Sequence, residues 1–269
     1  MAFDLPATLS PSKVSAFKDC ALAFRFSVID RLPEPPSAAA VRGTLVHRAL
    51  EELYCAEPSG RTLEVALSAL AGALEEARCS DPGYRQLGLA GEEEAAYLAD
   101  AEGLIRRYFE MEDPAAIRPI GLELLLEAEL AGVRVRGIID RLELDAAGEL
   151  VVTDYKTGRS PGPRYEQGRF GGVHFYAFLC QAVLGRRPAR IQLLYLADGV
   201  SIAVTPSEQS IRGLEGRVGA VWQAVERACA VEDFRPRPGP LCVWCSFQNY
   251  CPAFGGDPAT ARRELVGAG

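Results

Sequence analysis

Residues 132–157 read GVRVRGIIDRLELDAAGELVVTDYKT, and the fold turns on them. The segments 132–144 and 149–156 alternate between apolar and polar residues or run apolar, and Asp145-Ala146-Ala147-Gly148 between them has the composition of a hairpin turn. The preceding stretch 121–130, GLELLLEAEL, has a strand-like pattern too and meets the next strand at a second turn, Ala131-Gly132. Three consecutive antiparallel strands are expected from this pattern. Downstream lie a basic, glycine-rich loop (TGRSPGPRYEQGRFGG, 157–172), a helix over 173–185, strands over 190–197 and 201–205, and a long helix over 207–231. Upstream the period is helical: a first helix spaces Val14, Phe17, Ala21 and Phe24, a second reads GTLVHRALEELY, and 62–112 continues helical with a break at Asp81-Pro82-Gly83. Helices, a strand meander, a helix and more strands describe a mixed α/β sheet flanked by helices.

The meander carries a set of residues with chemical meaning. Asp154 and Lys156 are two apart on one strand and so share a face, while Asp140 lies near the end of the strand before the turn. A hairpin brings the two carboxylates and the lysine to one end of the sheet. Such a set suits phosphodiester hydrolysis: carboxylate oxygens hold a divalent cation, which activates a water, and an ammonium orients that water or stabilises developing charge. An isolated D-x-K is usually a solvated surface pair. Here the lysine stands out, because only three of the 29 basic residues are lysine: Lys13, Lys18 and Lys156.

Histidine is rarer still, with His47 and His174 the only two. His47 follows Gly43 on the second helix; as a ligand its imidazole would move a magnesium preference towards manganese, and otherwise it is a histidine at the edge of a core helix. His174 shares GGVHFYAFLCQAV with Tyr176, and the two either reach the phosphate or a stacked base, or belong to an aromatic core helix.

Charge and composition bound the function. The net charge is -7, and the segment from Glu75 to Asp113, with eleven acidic residues against four arginines, carries all of it. Between Asp154 and Arg190 seven cations face two carboxylates, so a local site for a polyanion is allowed; Arg159, Arg164 and Arg169 are its weak DNA-binding candidates. No apolar run reaches the ~18 to 20 residues of a membrane helix, and the amino terminus lacks the features of a signal peptide, so a cytoplasmic protein without a membrane partner is expected. No Walker A motif occurs, so helicase activity would have to come from a partner.

The eight cysteines are not expected to form secreted-type disulfides. Cys242, Cys245 and Cys251 form C-x2-C-x5-C, one thiolate short of a closed metal site, and Cys20 is the natural fourth. Cys55, Cys79, Cys180 and Cys229 are expected to be buried as small hydrophobes.

Taken together, GTLVHRALE, GIIDRLE, VVTDYKTG and the helix containing Tyr176 resemble the RecB-type branch of the PD-(D/E)XK nuclease superfamily, which includes AddB and the CRISPR-adaptation nucleases. The resemblance runs from SPSKVSAFKDC to CVWCSFQNYC. It implies a restriction-endonuclease-like core in one nuclease domain over 1–269: N-terminal helices at 10–60, an acidic helical insertion at 62–113, the catalytic sheet and helix at 120–205, and a C-terminal helix and cysteine cluster at 206–255. It implies that His47, Asp140 and Asp154, the shared carboxylate, hold one or two Mg or Mn ions and that Lys156 is the catalytic lysine, with Tyr176 from the family's Q-x-x-x-Y helix; Gly172 stands where the Gln would be. It further implies that Cys20, Cys242, Cys245 and Cys251 hold a 4Fe-4S staple like that of AddB, zinc on the same ligands being the alternative. The expected activity is Mg- or Mn-dependent exonuclease cleavage of DNA, single-stranded or with free ends, by a metal-activated water in DNA repair or recombination. A catalytically silent DNA-binding or partner-binding subunit of a helicase-nuclease complex is the alternative; a hydrolase of small phosphate esters would need a nucleotide-binding loop that the sequence lacks.

Overall fold

The computed structural model describes residues 3–162 and 171–261. Five strands form one mixed sheet in the order β1 (Pro119–Leu130), β2 (Val133–Leu144), β3 (Leu150–Lys156), β4 (Arg190–Tyr195) and β5 (Val200–Val204). The three strands of the meander lie within two residues of their expected bounds. Ala131 and Gly132, which join β1 to β2, have φ of 53° and 78°, the positive pair that a tight hairpin turn requires. At the second turn the Asp145 side chain accepts hydrogen bonds from the amides of Ala147 and Glu149, both at 2.9 Å.

β2 and β3 pair antiparallel from Leu144↔Leu150 to Arg141↔Thr153, and there the ladder stops. Asp140 and Asp154 are the next positions along, just where the strands part. β3 pairs parallel with β4, Lys156 opposite Tyr195, and β4 pairs antiparallel with β5. Flanked on both sides, β3 is buried from Leu150 to Tyr155 and emerges only at Lys156.

The helices are α1 (Pro11–Asp19), α2 (Ala21–Phe24), α3 (Ala38–Cys55), α4 (Leu63–Ser80), α5 (Pro82–Gln86), α6 (Glu92–Met111), α7 (Gly171–Leu184) and α8 (Glu208–Val231). α3 begins five residues before the expected Gly43, because Ala38 to Ala40 are strong helix formers and Ser37 caps them by accepting from the Ala40 amide at 3.4 Å.

The chain divides into two compact units. One comprises 36–126 and 138–207, with a core of Leu45, Val46, Leu50 and Leu53 from α3, Leu70 from α4, Ile105 and Tyr108 from α6, and Tyr155 and Leu194 from the sheet. The other comprises 1–35, 127–137 and 208–269, and its core gathers Leu22, Phe24 and Phe26 with Val225, Phe234, Phe247 and Cys251. Within that second unit Leu9 bridges to Val135 in parallel.

Two cysteine expectations need correction. Cys180 and Cys229 are buried, whereas Cys55 and Cys79 are exposed. Cys55 is the last residue of α3 and Cys79 the last but one of α4, where the helices run out beyond their packed stripes.

Candidate active site

The site forms within the unit comprising 36–126 and 138–207. The apolar stripe of α3 is buried, and this sets the rotation that turns His47 towards the end of β3. His47 Nε2 lies 3.1 Å from the carbonyl oxygen of Tyr155. A carbonyl only accepts, so Nε2 carries a proton, and Nδ1 faces the carboxylates of Asp140 at 3.6 Å and Glu123 at 3.8 Å. The Tyr155 amide in turn donates to Asp140 Oδ2 at 2.7 Å, a side chain taking the place of the ladder partner lost where β2 and β3 part. A single peptide unit on each side of Tyr155 thus orients both the histidine and the aspartate.

Glu123 was not among the residues singled out from the sequence. Its backbone has φ of 42°, a left-handed conformation rare for a non-glycine residue, and this kink in β1 aims its carboxylate at His47. The one trace in the sequence is Leu124-Leu125-Leu126, which breaks the alternation beside it.

Asp154 is buried between two donors: Tyr176 on α7 donates to Oδ1 at 2.8 Å, and Lys156 forms an ion pair with Oδ2. Burial opposes the Lys156 charge, but Asp154 and Asp140 outweigh it and raise the pKa above the usual lysine value, so the ammonium stays protonated at neutral pH. For His47, too, burial is outweighed by the hydrogen bond to Glu123 and the charges of Asp140 and Asp154, and its pKa is raised. Asp140 pays most for the arrangement: burial, then the neighbouring charge of Asp154, push its carboxyl up to about 7.

Carboxyls forced together in this way suit a cation. One ligand atom each from His47, Glu123 and Asp140 lies within 4.8 Å of the others, close to the ~4.2 Å that separates opposite ligands of a small octahedral ion. Among the described residues this is the one His/Cys/Asp/Glu group so tightly spaced. The donors are one imidazole and two carboxylates, a set that fits Mg or Mn. Beside them a cleft of about 620 Å³ is lined by Gly43, His47, Arg48, Glu123, Lys156 and Arg159. His174 is half-buried on α7, two residues before Tyr176. Arg164 and Arg169 lie outside the described residues.

In the other unit Cys20, Cys242, Cys245 and Cys251 line one cavity of about 230 Å³. Backbone amides of Arg237 and Gly239 donate to the sulfurs of Cys20 and Cys242 at 3.4 and 3.3 Å. Burial first, and then the charges of the other three cysteines, push the Cys245 thiol up against the lowering effect of a backbone hydrogen bond at Phe247. No three of these sulfurs lie within 4.8 Å of one another.

A mixed sheet with helices on its flanks, and acidic residues and a lysine where two of its strands part, is the layout of a metal-dependent nuclease. The chain belongs to the PD-(D/E)XK nuclease superfamily, whose sequence model matches residues 8–252. Such nucleases act on DNA with divalent metals. Among known proteins the chain is similar to the Gene 69 protein of Mycobacterium phage D29, with 25% identity over 91% of this chain and 96% of that one. It is also similar to the Gene 69 protein of Mycobacterium phage L5, with 31% identity over 49% of this chain and 44% of that one. A solved structure of a protein assigned as an exonuclease, from Eubacterium rectale, shares the fold, with a TM-score of 0.59 and 12% identity over 89% of this chain and 87% of that one. No helix among the described residues is long and apolar enough to cross a membrane.

Proposed function

We propose that the protein is an exonuclease of the RecB type, a single nuclease domain that hydrolyses single-stranded DNA from free ends in repair or recombination. It works in the cytoplasm, with a helicase as its natural partner. The observation that carries the reading is the convergence of His47, Glu123 and Asp140 beside the Asp154–Lys156 pair. His47, Glu123 and Asp140 would hold Mg or Mn, with Asp154 adjacent. The ion, when bound, supplies Lewis acidity and an acidified water to the phosphodiester. The chain's own residues do the rest. Lys156, protonated and 44% exposed in its side chain, presents a point charge to the attacking water or the developing phosphorane charge. Tyr176 holds Asp154 in place through its hydroxyl. Arg159, on the rim of the cleft, attracts backbone phosphate, as we propose for Arg164 and Arg169. His174, two residues from Tyr176 on α7 and so on a different helix face, would contact DNA and not Tyr176.

The decisive experiment incubates end-labelled single- and double-stranded DNA with Mg or Mn and follows product lengths. Mononucleotide release from single strands, abolished in Asp140→Asn, is the expected result. DNA binding without cleavage by the unmodified protein would make it a silent binding subunit instead.

We also propose that Cys20, Cys242, Cys245 and Cys251 hold a 4Fe-4S cluster of the AddB kind with a structural role. Their common cavity supports it. Iron, with brown colour, is expected in anaerobically purified protein; zinc without iron would overturn it.

A further inference from the structure

Arg141, the residue after Asp140, has no exposed surface at all. Its Nε donates to Glu143 at 2.6 Å, Nη2 to Glu112 at 3.1 Å and to Thr153 Oγ1 at 3.0 Å. Nη1 lies 2.8 Å from Glu112, 2.8 Å from the hydroxyls of Tyr54 and Tyr155, and 3.1 Å from that of Tyr108. Gln192 closes the ring by donating to Glu112 and Thr153 at 2.9 and 2.8 Å. So dense a set around one cation exceeds what neutralising two carboxylates needs, and a packed apolar residue would fill the space at lower desolvation cost. The network therefore calls for another reason.

Its position supplies one. Arg141↔Thr153 is the last pair of the β2–β3 ladder, immediately before Asp140 and Asp154. Those two carboxylates repel each other where the ladder ends. Thr153 and Tyr155 flank Asp154 and point away from it by strand alternation, and both are held by the Arg141 guanidinium. Tyr155 is also the residue whose amide binds Asp140 and whose carbonyl binds His47.

We propose that Arg141 is a positioning residue: by clamping Thr153 and the Tyr155 ring behind the point where β2 and β3 part, it fixes the Tyr155 peptide groups and thereby the spacing of His47 and Asp140. The clamp lets the repelling ligands stay preassembled before a cation arrives. Glu112, Tyr108 and Tyr54 anchor the guanidinium from α3 and from the C-terminal end of α6, which makes the acidic helical segment a support of the site. The inference rests on the proposed role of His47, Glu123 and Asp140 as metal ligands.

Its test measures Mn(II) affinity by electron paramagnetic resonance of the free ion, and thermal melting without metal, on the full chain. Tyr155→Phe, which removes only a hydroxyl, and Arg141→Lys, which keeps the charge but loses the fork, should weaken Mn(II) binding by about 10- to 100-fold. Leu70→Ala, a core truncation in α4, should lower the melting temperature and leave Mn(II) affinity as it was. If Arg141→Lys does not fold, Tyr155→Phe decides alone. Mn(II) affinity in Tyr155→Phe within twofold of the unmodified chain, at any melting temperature, overturns the inference and leaves the metal site standing. If the unmodified chain shows no Mn(II) binding that Asp140→Asn removes, the metal-site reading fails first and the inference falls with it.

Discussion

Lys156 and Asp140 illustrate what single residues contribute. Lys156 is held charged by Asp154, so it serves as a fixed positive point and not as a base. Lys156→Ala should lower cleavage at least ~100-fold at unchanged DNA affinity, and Lys156→Arg should not restore it, since a planar guanidinium cannot occupy the place of a compact ammonium. Steady-state rates and DNA titration check both. Asp140 gives a pH signature in the metal-free protein. Its folded pKa, about 7, exceeds the value of 3.8 for a free aspartate. The stability associated with its proton is therefore fully present below pH ~4 and is lost as pH rises through ~7, an effect of roughly 2–4 kcal/mol. Melting in EDTA across this range should show the decline, and Asp140→Asn should flatten it and be the more stable form at pH 8. Asp140, Asp154 and Lys156 were legible because strand alternation and a short turn are local rules. Glu123 was not, because the alternation that marks a strand fails at the kink that aims its side chain.

At the scale of elements, the site depends on how closely α3 approaches the end of β3. Gly43 sits at that approach: a Cβ there would stand 3.1 Å from Thr157 Oγ1. In an ordinary helix interior Gly→Ala gains about 1 kcal/mol, and here overpacking cancels the gain. Gly43→Ala alone should thus be neutral or destabilising, whereas Gly43→Ala on a Thr157→Ala background should stabilise by about 1 kcal/mol. Denaturant melts of the four proteins in the cycle measure this coupling, and additive effects would refute the contact. The parting of β2 and β3 is an element-scale feature too. Sequence places Asp140 and Asp154 near each other across the hairpin, but only the register shows that the ladder ends between Arg141↔Thr153 and the two aspartates.

For the whole molecule, the cysteine cavity lies in one unit and the acidic group in the other, each with its own core. A cluster on Cys20 and the three C-terminal cysteines would tie the ends of the chain within the first of these. Cys20→Ser should therefore remove iron and destabilise the fold well beyond the ~1 kcal/mol of an ordinary substitution, as read by iron analysis and thermal melting. The acidic helical insertion expected at 62–113 does more than add charge at its surface: Glu112 and the buried Tyr108 hydrogen-bond Arg141 beside the site.

The meander, the flanking helices and the nuclease resemblance were legible in the sequence alone, since periodicity, turn chemistry and rare residue types act over a few positions. Tertiary structure alone decided that Glu123 completes the group with His47 and Asp140, that Cys55 and Cys79 face solvent, and that Arg141 gathers partners from 54 to 155. These depend on which distant segments meet in space, and no local pattern in a chain encodes the partner of a buried charge.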